Sequence, residues 1–198
     1  MNETNRIRLR HLTTVAMLSA VASVLMFLEF SIPLVPSFIK LEFSDLPALL
    51  ASFALGPVSG VVVCLVKNLI HLFVTYTAGV GELCNFLIGC LLVLPAGWIY
   101  KVHRNRKSAL LGSAIGAVSM AVLSVPVNYY IAYPAYTLLM SMEVILGMYQ
   151  KLNPHVENLW QALFWFNMPF TFCKALVIVG VTFLIYKRIA PILKGKSA

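Results

Sequence analysis

Charge is scarce in this chain: only 11% of its 198 residues are Asp, Glu, Lys or Arg, where soluble domains carry about a quarter. Set against 60% hydrophobic residues, that scarcity excludes a protein whose main solvent is water. Catalytic patterns are missing as well. His11, His71, His103 and His155 are scattered, no HExxH pair occurs, and no serine stands in a nucleophile-elbow context, so catalysis by this chain is not expected. Cys64, Cys84, Cys90 and Cys173 lie inside apolar runs without metal-ligand spacing and read as small core side chains. The tail GKS at residues 195–197 has Ala190 where a phosphate loop carries its upstream glycine, which excludes nucleotide binding by that segment. No small-residue cleavage site follows the first apolar run, so Leu12–Leu28 reads as a permanent span and not as a signal peptide.

What is present is apolar sequence in long blocks. Leu46–Val66, Leu83–Tyr100 and Ser108–Met142 reach or exceed the roughly 18 residues that carry a helix across the hydrocarbon core. The net charge of +8 does not signal nucleic acid, because the cations sit at the ends of these blocks. Arg6, Arg8 and Arg10 precede the first, Lys101, Arg104, Arg106 and Lys107 stand midway, and Lys187, Arg188, Lys194 and Lys196 close the chain. If all three clusters are cytoplasmic, both termini are inside.

That tendency decides the topology at Gly56-Pro57. One long kinked helix through this dipeptide would put the middle cluster on the side opposite the N-terminus, whereas a turn brings all three clusters together. The expectation is an all-α integral membrane protein in one domain over residues 1–198, with six transmembrane helices. They cover His11–Phe30, a short second helix capped by Ser44 or Asp45 and ending near Leu55, Val58–Val74, Glu82–Tyr100, Ser108–Tyr130 and Asn158–Tyr186. The second helix would rise only about 15 Å. Between helices 1 and 2, an outward loop reaches Phe43, and the outer segment Ala132–Glu157 with its prolines and aromatics lies at the interface or over the mouth. Ala16/Ala20, Gly112/Gly116 and Ala117/Ala121 have the four-residue spacing that lets helices approach closely.

Candidate site residues are the polar exceptions. A lysine at membrane depth costs on the order of 3 kcal/mol unless partnered, so Lys67 either snorkels or lines a site, and Lys174, about four turns into helix 6, lines one. Asn85, Asn128, Asn167 and Thr171 add amides and a hydroxyl near the outer ends of helices 4 to 6, suited to an imide edge. Glu29, Asp45 and Glu82 are expected toward the outer surface, leaving Lys174 without a titratable partner. Tyr129, Tyr130, Tyr133, Tyr136, Trp160, Phe164 and Trp165 read as an aromatic belt at the outer level, with Phe38 and Phe43 placed to cover a flat ligand.

The segments PSFIKLEFSDLPALLASFALGP, KNLIH, GELCNF, VNYYIAYPAYT and PFTFCKAL together resemble the riboflavin-specific substrate-binding subunit, or S component, of energy-coupling factor transporters, over about Leu12 to Tyr186. The resemblance implies a multi-pass subunit of a prokaryotic cell membrane that takes vitamin B2 from outside through a gate formed by the first loop. It implies docking by an Ala-x-x-x-Ala surface, here Ala16 and Ala20, on a membrane-embedded coupling subunit, with ATP hydrolysis in two further ATPase subunits. It places the family's helix-5 asparagine on Asn128 and its helix-6 lysine on Lys174, while PFTFCK has Thr171 where the family carries asparagine, with Asn167 one turn earlier. On this reading Asn128, Thr171 and Lys174 meet the polar flavin edges. Phe38, Leu41 and the face of Asn85 and Gly89 pack on the ring, and Glu42 completes the set. Riboflavin is then a transported ligand and no cofactor is called for. The rivals are an S component for thiamine, biotin or flavin mononucleotide, and, from other classes, a small intramembrane enzyme or a stand-alone facilitator.

Overall fold

A computed structural model describes residues 3–75 and 77–194, so Lys196 and the tail at 195–197 lie outside the described residues. Helix α1 runs Glu3–Phe27, followed by a two-stranded antiparallel ladder, β1 Phe30–Ser31 with β2 Lys40–Leu41. The helices α2 Asp45–Leu55, α3 Pro57–His71, α4 Val80–Val102 and α5 Arg106–Val127 come next, then the short α6 Tyr133–Tyr136 and α7 Met142–Gln150. Last are α8 Leu159–Ala162 and α9 Met168–Lys194. Among the described residues, five helical stretches, Thr4–Phe27, Pro57–Val74, Val80–Val102, Arg106–Tyr136 and Leu159–Ile189, are long and apolar enough to cross a membrane, and α2 is a shorter apolar helix.

The turn at Gly56-Pro57 forms as expected, and its cause is local. Gly56 has φ +109°, a conformation L side chains rarely adopt, and Pro57 starts α3 where its missing N–H leaves no bond unmade. Helix α3 then folds back on α2 so closely that a Cβ at Gly60 would lie 2.9 Å from the Ala48 carbonyl oxygen. Eleven residues of α2 rise about 16 Å, roughly half the hydrocarbon thickness. Its N-terminus therefore starts deep in the bundle, and the chain between α1 and α2 has to descend to reach it.

Two long helical stretches contain a wider π-turn, at Asn128–Ala132 and at Leu163–Asn167. Each falls just before a proline, Pro134 and Pro169, whose ring cannot donate the next helical hydrogen bond. The outer segment is more ordered than a surface loop: α7 is capped by Ser141 and buries Ile145 and Tyr149. Its helical character was not expected from the sequence. Other boundaries differ modestly, as α1 begins eight residues before His11, where polar sequence extends the helix beyond its apolar part.

Packing depends on small residues, as it must where lipid is as apolar as leucine. A Cβ at Gly116 would meet the Leu92 carbonyl oxygen at 2.5 Å, one at Gly112 the Ala96 carbonyl oxygen at 2.9 Å, and Ala117 and Ala121 are buried. Ala16 and Ala20, by contrast, both face outward from α1. The cysteines divide likewise: Cys64 and Cys84 are buried and Cys90 is half-buried, but Cys173 is exposed on α9, which corrects its reading as a core side chain.

The basic clusters meet at one end. Arg10, Gly56, Lys101 and Arg104 line one cavity there, and Tyr186 near the end of α9 donates to the Phe53 carbonyl and packs its ring on Tyr100. Gly116→Ala should force α4 from α5 and cost about 1–3 kcal/mol, whereas Ala20→Leu on the exposed face of α1 should leave thermal unfolding in detergent unchanged. Melting curves of the two variants check this.

Candidate ligand site

At the end opposite the basic clusters, a half-open cavity of about 410 Å³ is lined by Met26 of α1, Glu29 just beyond that helix, Phe38, Lys40 and Glu42 of the first loop, and His71 at the end of α3. Thr77, Gly81, Glu82 and Asn85 around the start of α4, with Tyr136 of α6, complete the lining. The β1–β2 ladder pairs Phe30 with Leu41 and Ser31 with Lys40, and the Lys40 ammonium bonds the Glu29 carboxylate, so the loop closes over this end.

Beneath the cavity lies a buried ion cluster. Lys174 of α9 donates to Glu42 Oε1 at 2.5 Å and stands 3.4 Å from Asp45 Oδ2, and Lys67 of α3 donates to Asp45 Oδ1 at 2.5 Å and to the Ser44 hydroxyl. The Ser44 N–H donates to Glu42 Oε2 at 2.5 Å and the Asn85 amide to Glu42 Oε1 at 3.3 Å. Two acids and two lysines balance, which is what lets four charges sit together away from water. Exposure is 0% for Lys67, 1% for Asp45, 3% for Glu42 and 8% for Lys174. Burial by itself would raise the Glu42 carboxyl, but the Lys174 and Lys67 ammoniums override it and hold the group well below the usual carboxylate range.

This cluster corrects three expectations. Asp45 is not toward the outer surface, because the short α2 starts at half depth. Glu82, by contrast, does line the mouth of the cavity, though buried there, its carboxylate accepting from Thr75 and Thr77 and lying 2.9 Å from His71 Nδ1. Lys174 has two titratable partners, and Lys67 neither snorkels nor lines the cavity but is held inside by Asp45 and Ser44.

A second network joins the loop to the outer helices. Tyr149 of α7 donates to Asn167 Oδ1 at 2.6 Å, the Asn167 amide donates to the Tyr133 hydroxyl at 3.3 Å, and the two tyrosine hydroxyls bond each other. Burial raises the Tyr149 hydroxyl far above its ordinary value, so it acts as a neutral donor. Phe38 meets Tyr133, Tyr136 and Tyr149 edge-on at 6.1–6.2 Å between centroids. Tyr133 is therefore core and not belt, whereas Tyr130, Trp160, Phe164 and Trp165 are exposed.

Of the sequence-derived candidates, Phe38, Glu42 and Asn85 line the cavity, and the Asn85 carbonyl oxygen is buried with no partner among the described residues. Lys174 stands directly behind Glu42, and Leu41 is half-buried beside it on β2. Gly89 lies one turn below Asn85, where an added Cβ would touch Asp45 Oδ1 at 2.9 Å. The Asn128 amide donates to its own helix at the Ser124 carbonyl, Asn167 is engaged by the tyrosines, and Thr171 is half-buried on α9; none of these three lines the cavity. Sequence reasoning missed Glu29, Lys40, His71, Thr77, Glu82 and Tyr136 as a lining. The only signal available for them was their position at helix ends around one mouth.

Lys67→Met should strand Asp45 in the bundle and lower stability by about 3–5 kcal/mol, while adding Asp45→Asn should recover part of the loss. Thermal unfolding of the three variants measures this. A depressed carboxyl stabilises the fold above its unfolded value and loses that contribution only as pH falls through the lower folded value. The Glu42 contribution should therefore be constant from neutrality down to about pH 5, with a flat melting temperature, and should decline progressively as pH falls further.

Known proteins resemble this chain in sequence and in fold. A family model described as the ECF transporter, substrate-specific component, matches residues 10–186. A riboflavin transporter RibU of Staphylococcus aureus (strain TCH60) is 40% identical over 93% of each chain, and riboflavin transporter FmnP of Bacillus subtilis (strain 168) is 31% identical over 93% of this chain and 94% of its own. A solved structure, reported as the structure and mechanism of the S component of a bacterial ECF transporter, superposes with a TM-score of 0.74 at 36% identity, over 94% of this chain and 99% of that one. The chain belongs to the family of substrate-specific components of ECF transporters.

Proposed function

We propose that this chain binds riboflavin and serves its uptake as the substrate-binding subunit of an ECF transporter. Relatives that share about a third or more of its residues over nearly their whole length carry the name riboflavin transporter. The observation that carries the reading is the Asn85 carbonyl oxygen, without a partner among the described residues, in a 410 Å³ cavity, a volume typical of small-molecule sites. It requires a donor, and the imide N–H of an isoalloxazine ring is one. Phe38 and Tyr136 supply aromatic walls, and Thr77, Glu29 and Lys40 offer partners to ribityl hydroxyls.

Lys174 exchanges Glu42 for a ligand carbonyl as the flavin enters, and Asn128 and Thr171 turn toward it at the same depth. Leu41 and the Gly89 face pack on the ring. With Glu42 balanced inside the cluster, the mouth carries Glu29 and Glu82 against Lys40, an acid surplus that disfavours a phosphate and supports the uncharged vitamin over flavin mononucleotide.

The segment between α1 and α2 is the gate, and the whole chain works as one substrate-binding domain with six crossings, α2 completing the set. The basic end faces the cytoplasm, with both termini there, and the cavity opens outward. The exposed Ala16 and Ala20 of α1 receive the membrane-embedded coupling subunit, and ATP is hydrolysed by two partner ATPase subunits.

Subunit purified in mild detergent should be yellow and should quench riboflavin fluorescence stoichiometrically; a folded, colourless protein without quenching would reject riboflavin. Asn85→Ala, Asn128→Ala and Lys174→Ala should each weaken binding about tenfold or more. Parent-like affinity in the last two would refute their assignment. Replacing both Ala16 and Ala20 by Trp should abolish copurification with the coupling subunit while flavin quenching persists.

A further inference from the structure

The chain between α3 and α4 is folded around one carboxylate. Glu82 Oε2 accepts from the Thr75 hydroxyl at 2.9 Å and from the Thr77 hydroxyl at 3.2 Å, and these hydroxyls in turn accept from the backbone N–H groups of Thr77, Gly79 and Gly81. The other oxygen, Oε1, lies 2.9 Å from His71 Nδ1. With three donors converging on it, the carboxylate acts only as an acceptor, so Nδ1 carries the hydrogen and donates it. That leaves Nε2 of the neutral ring as an acceptor. Phe27 packs on the same ring at 5.4 Å between centroids and fixes it from α1. His71 lines the 410 Å³ cavity, and its Nε2 has no hydrogen-bond partner among the described residues.

We propose that His71 Nε2 accepts a hydrogen bond from a hydroxyl of the ribityl chain and so makes the site prefer a flavin that carries this chain; the proposal rests on the riboflavin reading above. The donors of the ligand narrow the choice. The only N–H of the flavin ring is the imide, which the Asn85 carbonyl oxygen is placed to take, and the other polar ring atoms are acceptors. A second acceptor in the cavity therefore finds its donor among the ribityl hydroxyls. Depth agrees with this. Glu82 precedes Asn85 by three residues on α4, so the His71–Glu82 pair stands roughly 4.5 Å further out, on the path of a chain that leaves the central ring toward the mouth. Glu82 is a positioning residue: it acts through His71 by fixing the tautomer and the orientation of the imidazole.

The test titrates the full chain in detergent with riboflavin and with lumiflavin, which has the same ring and a methyl group in place of the ribityl chain, each read by its own fluorescence. The parent should bind riboflavin about fivefold or more tightly than lumiflavin, the worth of one hydrogen bond. Equal affinities would overturn the proposal without any variant. Two substitutions then separate the ring nitrogens. His71→Asn keeps a donor near the Nδ1 position, and with it the bond to Glu82, but places nothing at the Nε2 position, which the amide of His71→Gln does reach. His71→Asn should weaken riboflavin about fivefold and lumiflavin less than about twofold, and His71→Gln should bring riboflavin back to within about twofold of the parent. A purely structural role in holding Glu82 would give the reverse order, and that order, equal losses for the two flavins, or no loss in His71→Asn would each overturn the proposal. Circular dichroism checks folding. If His71→Asn is not folded, His71→Gln decides with the parent, and a loss of about fivefold confined to riboflavin overturns the proposal. A parent that binds neither flavin fails the riboflavin reading and this proposal with it, whereas a parent that binds riboflavin and is matched by His71→Asn fails this proposal alone.

Discussion

A lysine side chain inside a membrane bundle needs a carboxylate close by, and this protein contains two such lysines that share two acids. Glu42, Asp45, Lys67 and Lys174 come from the first loop, α2, α3 and α9, and Asn85 adds α4 through its bond to Glu42. The cluster sets how far the loop descends and where α2 begins. Its charges sum to zero, so the desolvation of each ion is offset by its neighbours, and removing any one leaves an uncompensated charge. The cluster is better understood as fixing one arrangement of five elements than as adding net stability. It also forms the floor of the 410 Å³ cavity, so the candidate ligand site and the keystone of the fold share Glu42.

Around that keystone the bundle is held by close backbone approach. Gly97 illustrates the tolerance: an added Cβ would fall 2.0 Å from the Ser52 hydroxyl, which itself donates to the Val93 carbonyl at 2.7 Å. Such contacts tie α4 to α2 and to α5 with little side-chain volume between them. The alanines of α1 are left outside this packing. The two ends of the bundle differ sharply in charge, with acids and hydroxyls around one cavity and cations around the other.

Much of the helical arrangement was legible from the chain. Apolar blocks bounded by cations located every long helix, and Gly56-Pro57 marked the turn because only glycine accepts its φ and proline suits a first helical position. Lys174 was legible as a polar exception at depth. Asp45 was not, since a carboxylate near a helix start ordinarily caps toward water, and its burial follows from the shortness of α2 and the fold-back of α3. Helix α7 was hidden because a nine-residue segment between prolines resembles an interfacial loop until Ile145 and Tyr149 find a core. The engagement of Asn167 by two tyrosines pairs residues from α7, α6 and the α8–α9 stretch, and no local pattern reports such a contact.

The sequence by itself determined that this is a membrane protein, where its spanning helices lie and which polar residues are out of place, because hydrocarbon admits long uncharged helices and penalises exceptions residue by residue. Its motifs also carried the resemblance to the family. Only the tertiary structure decided which exceptions meet. Charge pairing acts over a few ångströms, so it depends on depth and on which helix faces which, and the descent of the loop onto α3 and α9 brings Glu42 and Asp45 to two lysines far away in the chain.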